Sequence, residues 1–476
     1  PYISKDGIWL LNDEFEIGAE LSEALGLEDT VVDFEITPNR PDCLSMIGMA
    51  REAAAVFGTE LEYPETECDH EEGNAADYIA VDIQSDLCRR YTARIVKDVV
   101  IKQSPWWIQK RLIRAGMRPI NNIVDITNFV MLEYGQPIHA FDINTLAGGK
   151  VVIRTANEGD KFTTLDETER TLSEGMLMIC DAEKPAAIAG VMGGLDSDIR
   201  DNTTTIVVES ANFAGDSVRT TSKKLGLRTE ASARFEKGID PNLCAKAADR
   251  VVKLIELTGA GKPDVYPQEI KAEPVHARVS RINKVLGVEL TREFMVNALE
   301  SLEMTVTGEG DDMYVTAPTV RQDIHIEEDI VEEVGRMYGF DKLPVTIPRG
   351  NSEAVKPDDR ILRDLARDTM VAMGATEIQT YSFVSPKGVD NCRIDEDSWE
   401  RCFVRIINPL GEENSVMRTI LTPNMLEVLS RNYTRNIEAV KAFEIGNTFM
   451  ADLFDEKALP EESYSMCVGM YGKDAD

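Results

Sequence analysis

The sequence predicts a multidomain α+β protein, and three observations predict it. A chain of 476 residues is too long for one hydrophobic core; at ~100–200 residues per domain it suggests three or four. Strand-like β-branched runs alternate with apolar repeats of helical spacing. Two segments interrupt the pattern: residues 62–77 are acidic and poor in large apolar side chains, and residues 261–274 hold three prolines. Both read as linkers.

In chain order, residues 30–36 read as a short strand. Pro38 and Pro41 stiffen a turn over 37–42, and Ser45 is placed to cap a helix over 46–57. From 80 to about 260 the spacing predicts strands at 81–83, 92–100, 150–155, 176–180 and 205–209, with helices at 105–115 and 243–258. That mixture implies helices packed on a largely antiparallel sheet. Residues 275–347 form a smaller unit: a strand and helix over 275–285, a helix over 291–302, strands at 304–306 and 313–316, and a helix over 327–338. A further α+β unit begins near 355.

Composition narrows the function classes. Apolar residues make up 43% and charged residues 28%, as in soluble globular proteins. No apolar run approaches the ~18 residues of a membrane span, and no basic-then-apolar leader opens the chain. The eight cysteines are scattered without a CxxC pair, so reduced thiols and the cytoplasm are expected. Net charge is −33, unfavourable overall for nucleic acid. Basic clusters at 102–118 and 219–237 nevertheless permit RNA contact locally.

Two patterns carry chemistry. In RPINNIVDITNFVMLEYGQPIHAFD, residues 118–142, Thr127 and Asn128 sit in a helix, Gly135 and Pro137 break it, and His139 follows. On residue types alone these fit either a small polar cavity or solvated helix and turn positions. The glycines of AIAGVMGGLDSDI (187–199) lack GxGxxG spacing and suit either close ligand approach or a tight turn. Glu209 ends a β-branched run, an uncommon place for a carboxylate. The second pattern is QDIHIEEDIVEEVGRMYGF (322–340), where Asp329, Glu332 and Glu333 share a helix face and Asp323 precedes it. Four oxygen donors suit Mg²⁺ better than zinc, although an acidic solvated face reads the same way.

These segments, with IVVESANF (206–213), RTEASARFEKGIDP (228–241), INPLGEENSVMRTILTPNMLEVL (407–429) and KAFEIGNTF (441–449), resemble the bacterial phenylalanyl-tRNA synthetase β subunit from about residue 27 onward. The one departure, Pro41 where the family often has alanine, stiffens a turn. The resemblance implies the tail of an OB-fold tRNA-binding domain over 1–26 and a B1-like region with its acidic linker over 27–79. It implies a B3/B4 tRNA-editing domain over 80–262 and a winged-helix-like B5 domain over 272–347. Residues 355–476 would be a truncated class II synthetase-like (catalytic-like) antiparallel α/β module, making the whole a fragment of the β subunit.

Carried over by position, it implies an editing site with Thr127, Asn128, His139 and Glu209 as catalytic residues and Arg118, Gly190, Gly193, Thr229 and Ala231 as substrate contacts. It also implies Mg²⁺ on Asp323, Asp329, Glu332 and Glu333. The implied activity is hydrolysis of tyrosine misattached to tRNA(Phe), while ATP and phenylalanine bind the α subunit of an α₂β₂ heterotetramer. The expectation for Glu209 is an ionised carboxylate that accepts the tyrosine phenol proton, since an apolar pocket rejects an added hydroxyl only ~10²-fold. No Ser–His–Asp or Cys–His pattern appears, so direct water attack is expected. The alternative is a non-catalytic scaffold that binds the α subunit.

Overall fold

Residues 88–97 and 206–213 are buried at nearly every position, so both faces of these strands need cover. A computed structural model describes residues 16–473 except 27, 69–70, 198, 256–258, 262–263, 266–269, 348–349, 351–352 and 453–457. It divides into two units, residues 1–346 and 347–476. The first runs α1 (Met46–Phe57), β1 (Ala80–Ile83), β2 (Cys88–Lys97), α2 (Trp106–Arg114), α3 (Asn122–Tyr134) and β3 (Ile138–Asp142). It continues through β4 (Lys150–Thr155), β5 (Leu177–Cys180), β6 (Pro185–Ile188), β7 (Met192–Gly193) and β8 (Thr205–Phe213). Helices α4 (Gly215–Leu225), α5 (Glu230–Phe235) and α6 (Leu243–Ile255) follow.

Two large sheets result. In one, β8 lies between β2 and the edge strand β3, antiparallel to both; in the other the order is β7-β6-β5-β4-β1. Alternation along β8 assigns its faces. Ile206 and Val208 point with Val96 and Ala140 into a core completed by Ile108, Leu112, Ile123, Ile126, Val130 and Val251 of the helices. Val207 and Ala211 point with Tyr91, Ala93 and Phe141 toward Val151, Ile153, Met178 and Ile188 of the second sheet. One face is therefore helical cover and the other is sheet on sheet.

The unit closes with β9 (Pro274–Arg278), α7 (Val279–Leu286), α8 (Arg292–Ser301), β10 (Thr305–Thr307), β11 (Asp312–Thr316) and α9 (Glu327–Tyr338). Strand β11 lies between β9 and β10, and Met313 and Val315 pack on Ile282, Leu299, Ile330 and Val334. In the second unit a long hairpin, Val440–Met450 with Glu461–Tyr471, is accompanied by helices Asp358–Ala372 and Thr422–Thr434. Its Arg418, buried, pairs with buried Glu444 at 2.7 Å, which accounts for that arginine without a nucleotide.

Three expectations change. Residues 30–36 form no strand and leave Val31, Val32 and Phe34 exposed, because no strand among the described residues pairs with them. His139 lies in strand β3 rather than a turn, since the chain becomes extended immediately after Pro137. The 80–260 region holds two large sheets and a small two-stranded one, Lys161–Thr163 with Glu169–Thr171, rather than a single sheet. Residues 1–15 of the expected OB-fold tail lie outside the described residues.

Candidate functional site

Strand β8 brings Glu209 directly opposite His139 of β3, with Ala93 of β2 on its other side. By alternation, Glu209 and His139 share the face that looks onto the second sheet. The His139 ring meets Phe141 edge-on, centroids 4.5 Å apart. Strands β3 and β7 are both edge strands of their sheets, and they come together at this point. There Gly193 of β7 abuts His139: a Cβ on Gly193 would lie 3.1 Å from the imidazole Cε1 and 3.1 Å from Leu165 Cδ1.

Glu209 is 6% exposed, and its Oε2 accepts a 2.9 Å hydrogen bond from the hydroxyl of fully buried Tyr91. Burial pushes the carboxyl up to about 8, against a smaller lowering by the Tyr91 bond. The expectation of an ionised Glu209 is thereby corrected: desolvation without a cationic partner keeps it neutral near pH 7. The same burial, with Glu209 beside it, holds the Tyr91 phenol well above its ordinary value.

Thr229 caps α5 by accepting from Ser232 N at 3.0 Å and donates to Val191 O at 3.0 Å, so the RTEAS segment is tied to the glycine loop. Ala231 packs against the inter-sheet core. Gly190 adopts φ +69°, and a Cβ there would meet Phe235 and Val218 at 3.0 Å, a packing and backbone reason for glycine. The structure thus gathers His139, Glu209, Gly190, Gly193, Thr229 and Ala231 on one side of the first sheet.

Thr127, Asn128 and Arg118 belong to the other side. Helix α3 presses Ile123, Ile126 and Val130 against the opposite face of that sheet. Thr127 donates its hydroxyl to Val124 O at 2.8 Å within the helix, and Arg118 is exposed in the loop before it.

The acidic quartet is committed elsewhere. Asp323 receives Arg321 at 2.8 Å, and Glu333 receives Arg321 at 2.9 Å and Arg336 at 2.6 Å. These arginines hold the Glu333 carboxylate down at about 2 despite its burial. Asp329 caps the start of α9 by accepting from His325 N and Ile326 N. Among the described residues, no three ligand atoms of Asp323, Asp329, Glu332 and Glu333 lie within 4.8 Å of one another. This arrangement does not fit the expected Mg²⁺ site, because arginine and backbone donors already occupy oxygens of Asp323, Asp329 and Glu333. A group that does come that close is Asp42, Cys43 and Glu52. Arg40 already bridges its two carboxylates, at 2.8 and 2.5 Å.

Family models match three stretches: the B3/4 domain over residues 87–259, the tRNA synthetase B5 domain over 275–340 and the phenylalanyl tRNA synthetase beta chain CLM domain over 343–476. The phenylalanine–tRNA ligase beta subunit of Clostridium acetobutylicum is 46% identical over 98% of this chain and 60% of its own length. That of Clostridium tetani is 45% identical over 99% and 61%, and that of Moorella thermoacetica 45% over 94% and 56%. The chain belongs to the phenylalanine–tRNA ligase β-subunit family. It spans about three fifths of the length of these relatives.

In this family member one side chain escaped sequence reasoning altogether. Tyr91 lies opposite Ala211, two residues along from the partner of Glu209, and only that cross-strand register reveals the diagonal contact. No local pattern marks it.

Proposed function

We propose that this chain is the part of a phenylalanine–tRNA ligase β subunit that hydrolyses tyrosine wrongly esterified to tRNA(Phe). In the cytoplasm, within an α₂β₂ assembly, it supports phenylalanylation carried out with ATP and phenylalanine on the α subunit. The observation that carries this reading is the direct pairing of His139 with Glu209 across β3 and β8, at the edge of the first sheet and against Gly193.

Each group has a task it can perform. Glu209, desolvated and polar, rewards a ligand that brings a hydroxyl; phenylalanine leaves that requirement unmet, which is the stronger form of discrimination. Ala231, beside the inter-sheet core, adds only a methyl group to the wall that faces the ring. His139 orients the terminal ribose or the attacking water. Water adds to the ester carbonyl, the ribose oxygen leaves with a proton, and tyrosine and intact tRNA are released. No step is routed through a metal, since Asp323 and Glu333 are engaged by Arg321 and Arg336, and Asp329 by the backbone N–H groups of His325 and Ile326.

The intact ligase, charged with Tyr-tRNA(Phe), tests the reading. Glu209→Ala and His139→Ala together should reduce deacylation at least 100-fold while phenylalanylation continues. Unchanged deacylation would remove the site. The scaffold reading draws on the Thr127 hydroxyl turned back into its own helix; it requires that even the unmodified ligase release no tyrosine.

A further inference from the structure

Glu209 could point a carboxyl oxygen anywhere within its rotamer range unless something fixes it. The structure contains such a restraint. Tyr91 is 0% exposed and its hydroxyl donates to Glu209 Oε2 at 2.9 Å. Opposite Glu209 the strand carries Ala93, which is small enough to let the phenol reach across the diagonal. The other oxygen, Oε1, takes no partner among the described residues.

The geometry points to Tyr91 as a positioning residue for specificity: its phenol fixes Oε2 of Glu209 and leaves Oε1 as the oxygen that meets the hydroxyl distinguishing a tyrosyl from a phenylalanyl ester. The chain thus satisfies one side of the carboxyl with a phenol of its own and reserves the other for the phenol of the substrate. With the carboxyl neutral, Oε1 can give its proton to the incoming phenol oxygen or accept from the phenol O–H, so recognition needs no counter-ion. Tyr91 touches no reacting atom. It acts through Glu209.

The inference rests on the reading of the site as a Tyr-tRNA(Phe) hydrolase, and three variants of the intact ligase separate the two. Tyr91→Phe removes one buried oxygen and keeps the ring. It should raise the KM for Tyr-tRNA(Phe) deacylation about 10-fold, leave kcat and phenylalanylation near normal, and move the pH midpoint of deacylation upward, because the lost hydrogen bond had favoured ionisation. Glu209→Gln keeps an acceptor for Tyr91 and a polar group toward the substrate. It should retain preference for Tyr-tRNA over Phe-tRNA and lose that pH dependence. Wild-type KM and pH profile in Tyr91→Phe, alongside lost preference in Glu209→Ala, would overturn the role of Tyr91 and leave the site standing. Indifference of deacylation to Glu209→Ala as well would overturn both. If Tyr91→Phe fails to fold, Glu209→Gln decides: loss of preference there contradicts recognition by a neutral, phenol-held carboxyl.

Discussion

At the scale of single residues, Glu209 carries most of the argument, and its proton state is open to direct test. Its carboxyl titrates near 8 in the folded chain against 4.5 as a free side chain. A raised folded pKa means that the neutral form's contribution to stability is complete below about 4.5, declines as pH rises, and is gone above about 8. At ~1.4 kcal/mol per pKa unit the full swing is roughly 5 kcal/mol. Glu209→Gln stays neutral throughout, so chemical denaturation should find it similar to the parent at pH 5 and several kcal/mol more stable at pH 8.5. A variant less stable at every pH would show that the ionised form is the native one. Gly193→Ala probes the opposite wall. The added methyl needs His139 or Leu165 to yield by a few tenths of an ångström, so Tyr-tRNA deacylation should fall about 10-fold with less than ~1 kcal/mol lost in stability. His139 and Glu209 were legible in the sequence as polar residues in apolar company. Tyr91 was not, because only strand register brings it to Glu209.

Among the elements, those with strong internal periodicity were legible nearly to the residue. Lys150–Thr155 carries a buried run of three β-branched residues, α9 spaces Ile330, Val331 and Val334 for one buried face, and Ser45 caps α1 by accepting from Gly48 N at 3.0 Å. Elements defined by their neighbours were not. β3 is five residues beginning right after Pro137, and the second sheet's partnerships depend on pairings between strands far apart in sequence. Thr127 and Asn128 were placed at the site by the resemblance, their residue types alone leaving solvated helix positions open, whereas the apolar stripe of α3 turns that helix to the far face. A second element-scale result is a ladder of alternating charge. Asp42, Arg40, Glu52, Arg336, Glu333, Arg321 and Asp323 follow one another in contact and tie α1 to α9. Removing Arg336 takes from Glu52 and Glu333 one of the two arginines each holds, at a cost of roughly 1–3 kcal/mol. Arg336→Met should therefore raise hydrogen exchange in α1 about 10-fold and leave β4 and β5 protected as before. EDTA should alter exchange in neither α1 nor α9; faster exchange in α9 after chelation would restore Mg²⁺ as the partner of Glu333.

On the scale of the whole molecule, the chain combines a two-sheet domain holding the candidate site, a small domain joined to α1 by the charge ladder, and a second unit with its own buried Arg418–Glu444 pair. The α+β character was legible from mixed periodicity, because it is a sum over many residues. The site's position where the edges of two sheets meet was not, since it depends on which strands end each sheet. Among the described residues no helix is long and apolar enough to cross a membrane. The acidic surplus of −33 also has a consequence at this scale. RNA engagement has to rely on the local basic clusters, so affinity for tRNA should drop steeply with salt. Filter binding of the intact ligase between 50 and 200 mM salt should show a loss of ~10-fold or more, and a flat response would deny phosphate contact. The central claim is tested most directly by following release of tyrosine from Tyr-tRNA(Phe) by the intact ligase, with and without the paired His139→Ala and Glu209→Ala changes. The account predicts rapid release by the parent and at least a 100-fold loss in the double variant with phenylalanylation intact; equal release by both would contradict it.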